Sequence, residues 1–148
     1  MTYGFPKLGV MGIKPDGIGN VTKTHVLYDQ PQGGGYVPSP IAHGDSFFNV
    51  TDKGVASCRA GKTGKLMWLE RLGIHTSASP VSVGGHLYFT DDAGDTFVLK
   101  PGPKFDVVCK NSLGEECYAS LAIARGQFFI RGLHNLYCIG DSKVSGGR

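Results

Sequence analysis

The sequence predicts an all-β fold, a partial β-propeller built from repeats of about forty residues. Three observations carry that expectation. A Ser-Pro pair at Ser39-Pro40 returns at Ser79-Pro80 and, as Ser120-Leu121, once more. Each copy precedes an apolar stretch, a tight turn and an aromatic run, at offsets of forty and forty-one residues. The composition suits strands and turns: 23 Gly and 8 Pro among 148 residues, with aromatic and β-branched residues filling the apolar stretches.

The elements repeat in order. After each Ser comes a short first strand at Ile41-Ala42, Val81 to Val83 and Ala122 to Ala124, then a turn at Gly44-Asp45, Gly84-Gly85 and Arg125-Gly126. The second strands are Phe47-Phe48, Leu87 to Phe89 and Phe128 to Ile130. Two apolar runs joined by a Gly-containing pair signal a hairpin. A second turn follows at Asp52-Lys53-Gly54, Asp92-Ala93-Gly94 and Leu133-His134-Asn135, where Gly and Asn tolerate positive φ. Third strands are expected at Val55 to Cys58, Thr96 to Leu99 and Leu136 to Ile139.

Fourth strands are expected at Lys65 to Leu72 and Phe105 to Lys110, with Thr24 to Tyr28 closing an earlier unit whose third strand is Val10 to Lys14. Tyr28, Trp68 and Cys109 then share one register. The chain reads as a single partial propeller domain over 1–148, with blades at 8–30 (partial), 36–72, 76–112 and 117–140 (partial), and a flexible tail at 141–148. One four-stranded sheet cannot bury both faces alone, so stacking each sheet on the next supplies the core. An open arc leaves strand edges at both ends, and self-association through them is expected.

Composition narrows the function classes. A net charge of +3 is spread along the chain with no dense Lys/Arg cluster, which argues against nucleic acid. No run of eighteen apolar residues occurs, so no membrane span is expected. Met1 to Val10 lacks the basic start and apolar core of a secretory signal. Cys58, Cys109, Cys117 and Cys138 lack the spacing of zinc ribbons or redox pairs, and their spacing assigns no disulfide. Cys58, Val98 and Cys138 share a register on the third strand, which suggests thiols serving as core filler. Cys109, in the Trp68 register, is likewise read as a packing residue, and Cys117 in a loop has no such explanation.

The motifs also carry a resemblance. The Ser-Pro starts, Asp52-Lys53-Gly54-Val55 and above all Thr63-Gly64-Lys65-Leu66-Met67-Trp68 resemble the pyrroloquinoline-quinone-like (PQQ-like) repeat, whose fold is shared by quinoprotein dehydrogenases and an outer-membrane assembly factor. The resemblance covers most of residues 24–140. It implies that the Thr-Gly turn leads into the outermost strand and that Trp68 packs between blades, with Gly54, Gly64 and Gly94 structural. Tyr28 keeps an aromatic in that slot, whereas Cys109 loses it, so the later blade docks by other contacts. It also implies a periplasmic or extracellular setting. Fold likeness does not carry an activity.

A quinone enzyme of that kind needs calcium ligands, a catalytic Asp, a Trp platform and, in alcohol-oxidising members, adjacent cysteines. That set cannot be assembled here, so no cofactor is required, and PQQ with calcium enters only by analogy of fold. The expected role is a non-catalytic scaffold binding a protein partner or small ligand. The alternatives are part of a PQQ-dependent oxidoreductase and a carbohydrate-acting propeller. The latter rests on Thr90 to Phe97, which resembles the Asp-box of sialidase-type propellers and is read as a turn-stabilising device.

Loops joining a fourth strand to the next first strand open on one face of the ring. Tyr36, His75, Thr76, Glu116, Cys117 and Tyr118 lie in such loops, and these are the candidate binding residues. Asn20-Val-Thr22 and Asn49-Val-Thr51 match the glycosylation triplet, with Asn49 placed in a strand. Gly33-Gly34-Gly35 is read as a flexible inter-blade loop.

Overall fold

The computed structural model describes residues 1–4 and 6–140. The expected tail at 141–148 lies outside the described residues. Among the described residues fourteen strands form four antiparallel sheets, each meandering in chain order. The first sheet holds β1 (Thr2–Tyr3), β2 (Gly9–Ile13) and β3 (Val26–Gln30). The second holds β4 (Ile41–His43), β5 (Ser46–Val50), β6 (Val55–Ala60) and β7 (Leu66–Arg71). The third holds β8 (Val81–Val83), β9 (His86–Thr90), β10 (Asp95–Leu99) and β11 (Val107–Ser112). The fourth holds β12 (Ala122–Ala124), β13 (Gln127–Arg131) and β14 (Leu136–Ile139).

The repeat extends to backbone detail. Gly12 pairs with Tyr28, Cys58 with Trp68 and Val98 with Cys109, and the register shifts immediately after Gly12, Cys58 and Val98 in all three sheets. First hairpins close through two-residue turns, with His43 opposite Ser46, Val83 opposite His86 and Ala124 opposite Gln127. The recurrent Ser is explained by a ladder between sheets. The Ser39 N–H donates to Ser79 Oγ, and the Ser79 N–H donates to Ser120 Oγ, both at 2.9 Å.

Sheets two and three share the main core. Phe48, Ala56, Cys58 and Trp68 meet Leu87, Phe89 and Leu99, with Phe105 at the margin. Trp68 sits where the resemblance placed it. Its ring lies 6.0 Å from Phe48 of its own sheet and 5.2 Å, edge-on, from Phe105 of the next unit, and its indole N–H donates to Gly102 O at 3.1 Å. Full burial of a Leu or Phe stabilises by about 1.5–3 kcal/mol, against about 0.5–1.5 for one hydrogen bond. Apolar burial therefore dominates this junction.

The first junction is more polar. Tyr28 covers Gly64, where a Cβ would lie 2.6 Å from its ring. Arg59 is 9% exposed and donates to Gln30 and to Gly64 O. Burial pushes its guanidinium below the usual arginine range.

Several expectations need correction. The first unit reaches back to Thr2 rather than beginning at residue 8, since a two-residue strand leaves no pattern to read. Its last strand starts at Val26, because Thr24 and His25 donate to Val21 O in a preceding turn. The last strand of the third unit starts at Val107, after a Pro-rich turn closed by Lys100 donating to Asp106 O. Gly33-Gly34-Gly35 is a wedge: a Cβ on Gly34 would lie 2.4 Å from Gly9 O and one on Gly35 2.6 Å from Val50 O. Cys109 and Cys138 are exposed, so neither is core filler, while Cys58 is buried as expected. The difference is cover: Cys58 has β7 beside it and sheet three above it, and among the described residues β14 has neither counterpart.

Candidate functional site

The loops that lead into each sheet are anchored by the turn between its second and third strands. Asp52 accepts the Tyr36 and Val37 N–H groups at 2.7 and 2.9 Å. Asp92 repeats this with the N–H and hydroxyl of Ser77 at 2.7 and 3.1 Å. Backbone bonds then tie neighbouring units, with Thr76 N–H donating to Asp52 O and Cys117 N–H to Asp92 O. Asp91 accepts the Asp95 N–H at 3.0 Å and caps its own turn. The Asp-box resemblance thus corresponds to two carboxylates spent on loop geometry.

The fourth unit reverses the polarity of the tie. Its turn begins with Leu133, so the carboxylate comes instead from Glu115 in the lead-in loop, accepting the His134 N–H at 2.8 Å and the Asn135 amide at 3.1 Å. Hydrogen bonding from Tyr137, then from these groups, holds the Glu115 carboxyl down at about 2. A depressed folded-state value means stability present above pH 4.5 and lost as pH falls toward 2. Glu115→Gln is expected to flatten that part of the acid-unfolding profile, measured by circular dichroism against pH.

The ties leave a cleft of about 730 Å³ on the loop face between sheets two and three. His75, Glu116 and Tyr118 line it, joined by Arg71, Asp91 and Lys110. Lys110 pairs with Asp95 at 2.6 Å and lies 5.3 Å from the Phe97 ring centre. That pairing lowers the Asp95 carboxyl, whereas burial raises the Asp91 carboxyl. The Tyr118 hydroxyl donates to Glu116 at 2.6 Å. The cleft can offer carboxylates, a phenol and an imidazole to a polar surface.

The other three candidate residues lie elsewhere. Thr76 is buried in the tie between units. Cys117 is fully buried among Leu121 and Ile130, its thiol donating to Ala119 O and Arg131 O and pushed up by burial. A thiol so placed is packing and offers no nucleophile. Tyr36 is 64% exposed at the preceding junction, away from the cleft. Loop position alone does not point to Arg71, Asp91 and Lys110; of the three, the sequence singled out only Asp91, as part of the Asp-box-like turn. A signal for Lys110 was there: it follows the Trp68-equivalent position, and strand alternation sends successive side chains to opposite faces.

The chain resembles solved structures. BamB from Moraxella catarrhalis matches at 11% identity and a TM-score of 0.60, over 72% of this chain and 31% of that one. Glutaminyl cyclase from Myxococcus xanthus matches at 14% identity and 0.51, over 82% and 55%. A europium-containing methanol dehydrogenase matches at 11% and 0.52, over 75% and 23%. The fold is that of a PQQ-like β-propeller. The chain spans less than two thirds of the length of each of these proteins. No family model matches it. No curated protein matches it either.

Among the described residues no group of three His, Cys, Asp or Glu side chains is placed to hold a metal ion. The single indole is enclosed between sheets two and three. No helix of the described residues is long and apolar enough to cross a membrane.

Proposed function

We propose that this propeller arc is a non-catalytic binding scaffold whose lead-in loops present the cleft at sheets two and three to a protein partner. The observation that carries this reading is the convergence of His75, Glu116 and Tyr118, from two successive loops, beside the Asp91-Asp92 turn. Those loops are held by paired backbone and carboxylate ties, so little ordering is needed on binding. Tyr118 is half-exposed, with its hydroxyl already oriented by Glu116. Tyrosine in such a position is the residue type that dominates interface energetics. The likeness to BamB and the repeat motifs support the same class of role and a periplasmic or extracellular setting.

The test is capture with the immobilised chain, comparing it with a His75→Ala/Glu116→Ala/Tyr118→Ala variant of unchanged circular dichroism. The variant is expected to lose at least tenfold in affinity for any captured protein. Capture equal to that of the unaltered chain would move the interface off this cleft.

A further inference from the structure

The loop-face cleft carries a charge that the chain as a whole does not. Four carboxylates, Asp91, Asp92, Asp95 and Glu116, stand in its wall against two fixed cations, Arg71 and Lys110. With His75 neutral the wall is net acidic, in a chain whose net charge is +3. Both cations are already engaged. Arg71 donates to Lys53 O at 2.8 Å and to Gly73 O at 3.2 Å, and Lys110 pairs with Asp95 at 2.6 Å.

Three of the four carboxylates have side-chain partners inside the molecule. Asp92 accepts from the Ser77 hydroxyl, Asp95 from Lys110 and Glu116 from Tyr118. Asp91 has none among the described residues. It is 7% exposed, its Oδ1 accepts the Asp95 N–H at 3.0 Å, and the Ala93 N–H also faces the carboxyl. Its Oδ2 lies against Gly73, another residue of the cleft wall, where an added Cβ would stand 2.6 Å away. No cation is paired with it among the described residues. Burial raises this carboxyl, the response of a carboxylate taken out of water without a counter-charge. A cation that reaches such a group supplies the pairing that offsets its lost hydration.

The molecule contains its own example of a filled site of this kind. Lys110 Nζ is held by the Asp95 carboxylate and lies 5.3 Å from the Phe97 ring centre. Across the cleft, Glu116 and the half-exposed Tyr118 ring offer a second carboxylate beside a second aromatic face, joined by a 2.6 Å hydrogen bond and holding no cation. A carboxylate next to an aromatic face binds ammonium and guanidinium groups. We propose that the cleft receives a Lys or Arg side chain of the partner protein, its cationic head group met by the Asp91 and Glu116 carboxylates beside the Tyr118 ring. This inference rests on the reading of the cleft as a partner-binding surface and names the chemistry of what enters it.

The probes are Nα-acetylarginine amide and Nα-acetyllysine amide, titrated into the isotope-labelled full chain and followed by amide chemical shifts. The neutral isostere Nα-acetylcitrulline amide is the control. Saturable shifts confined to 91–95 and 116–118 are expected from a cationic probe at millimolar concentration, and none from the citrulline derivative. Asp91→Asn keeps an oxygen for the Asp95 N–H, and Glu116→Gln keeps one for the Tyr118 hydroxyl. Each is expected to weaken probe binding at least threefold, and the two together at least tenfold, with circular dichroism unchanged.

Three results would overturn the proposal. They are no saturable shift from either cation at tens of millimolar, equal shifts from the citrulline derivative, and shifts that survive both substitutions. Failure of both cationic probes, beside protein capture that depends on His75, Glu116 and Tyr118, would overturn this inference alone and leave the interface standing. Saturable probe binding, beside capture indifferent to those three residues, would instead remove the reading beneath it and with it the partner as the source of the cation.

Discussion

Replacing Trp68 with alanine is expected to destabilise the chain by about 3–5 kcal/mol, the range for deleting a buried aromatic. Trp68 is 8% exposed, touches Phe48 and Phe105, and gives its indole N–H to Gly102 O. Its loss removes apolar contact on both sheets and leaves that carbonyl in need of water. For a chain of this size the melting temperature is expected to fall by roughly 10 °C or more, read by thermal and urea denaturation. Trp68→Phe keeps a ring but drops the N–H, and is expected to recover more than half of the loss. Equal losses in the two variants would mean that the hydrogen bond, rather than apolar burial, holds this junction together.

Gly94→Ala carries the second large effect. Gly94 turns the chain between β9 and β10 at a φ of 83°, and a Cβ there would lie 2.0 Å from Glu115 O. A left-handed non-glycine residue costs about 1–2 kcal/mol, and forcing backbone apart in a packed region adds about 1–3. The Glu115 carbonyl belongs to the loop leading into sheet four, so the strain falls on the tie between units. Gly84 is the control, since it has a φ of 57° but nothing within 4 Å of an added Cβ. Gly84→Ala is expected to cost only the conformational part, and urea melts of the two variants are expected to separate them clearly. Matching melts would mean that the inter-unit contact at Gly94 contributes nothing.

The repeat was legible because its physical cause is local and periodic. Ser39, Ser79 and Ser120 recur along one ladder, in which the Ser79 and Ser120 hydroxyls each accept from the preceding unit's backbone, and a fixed inter-sheet spacing demands a fixed sequence spacing. Trp68 was legible for the same reason: one slot per unit holds the residue that reaches the next sheet. The strand starts at Val26 and Val107 were not, because hydrogen bonds at Val21 O and Asp106 O delay them and apolar periodicity does not encode such turns.

The cleft was half legible. Loop position suggested His75, Glu116 and Tyr118, but the same reasoning included Thr76 and Cys117, whose backbone N–H groups bind the neighbouring unit and draw them inside. Facing the loop face in sequence does not decide which residues of a loop serve the tie. The exposure of Cys138 illustrates the complementary case. Its register predicted burial, yet burial depends on the strand and sheet that cover it, and these are properties of neighbours rather than of the repeat itself.

Stacked sheets make one geometric demand on the chain's only tryptophan. In a nuclear Overhauser spectrum with labelled aromatic rings, Trp68 is expected to show cross-peaks both to Phe48 on β5 and to Phe105, across to the following unit. Cross-peaks confined to Phe48 would mean that the second sheet does not shelter against the third, and the propeller account would fall with them.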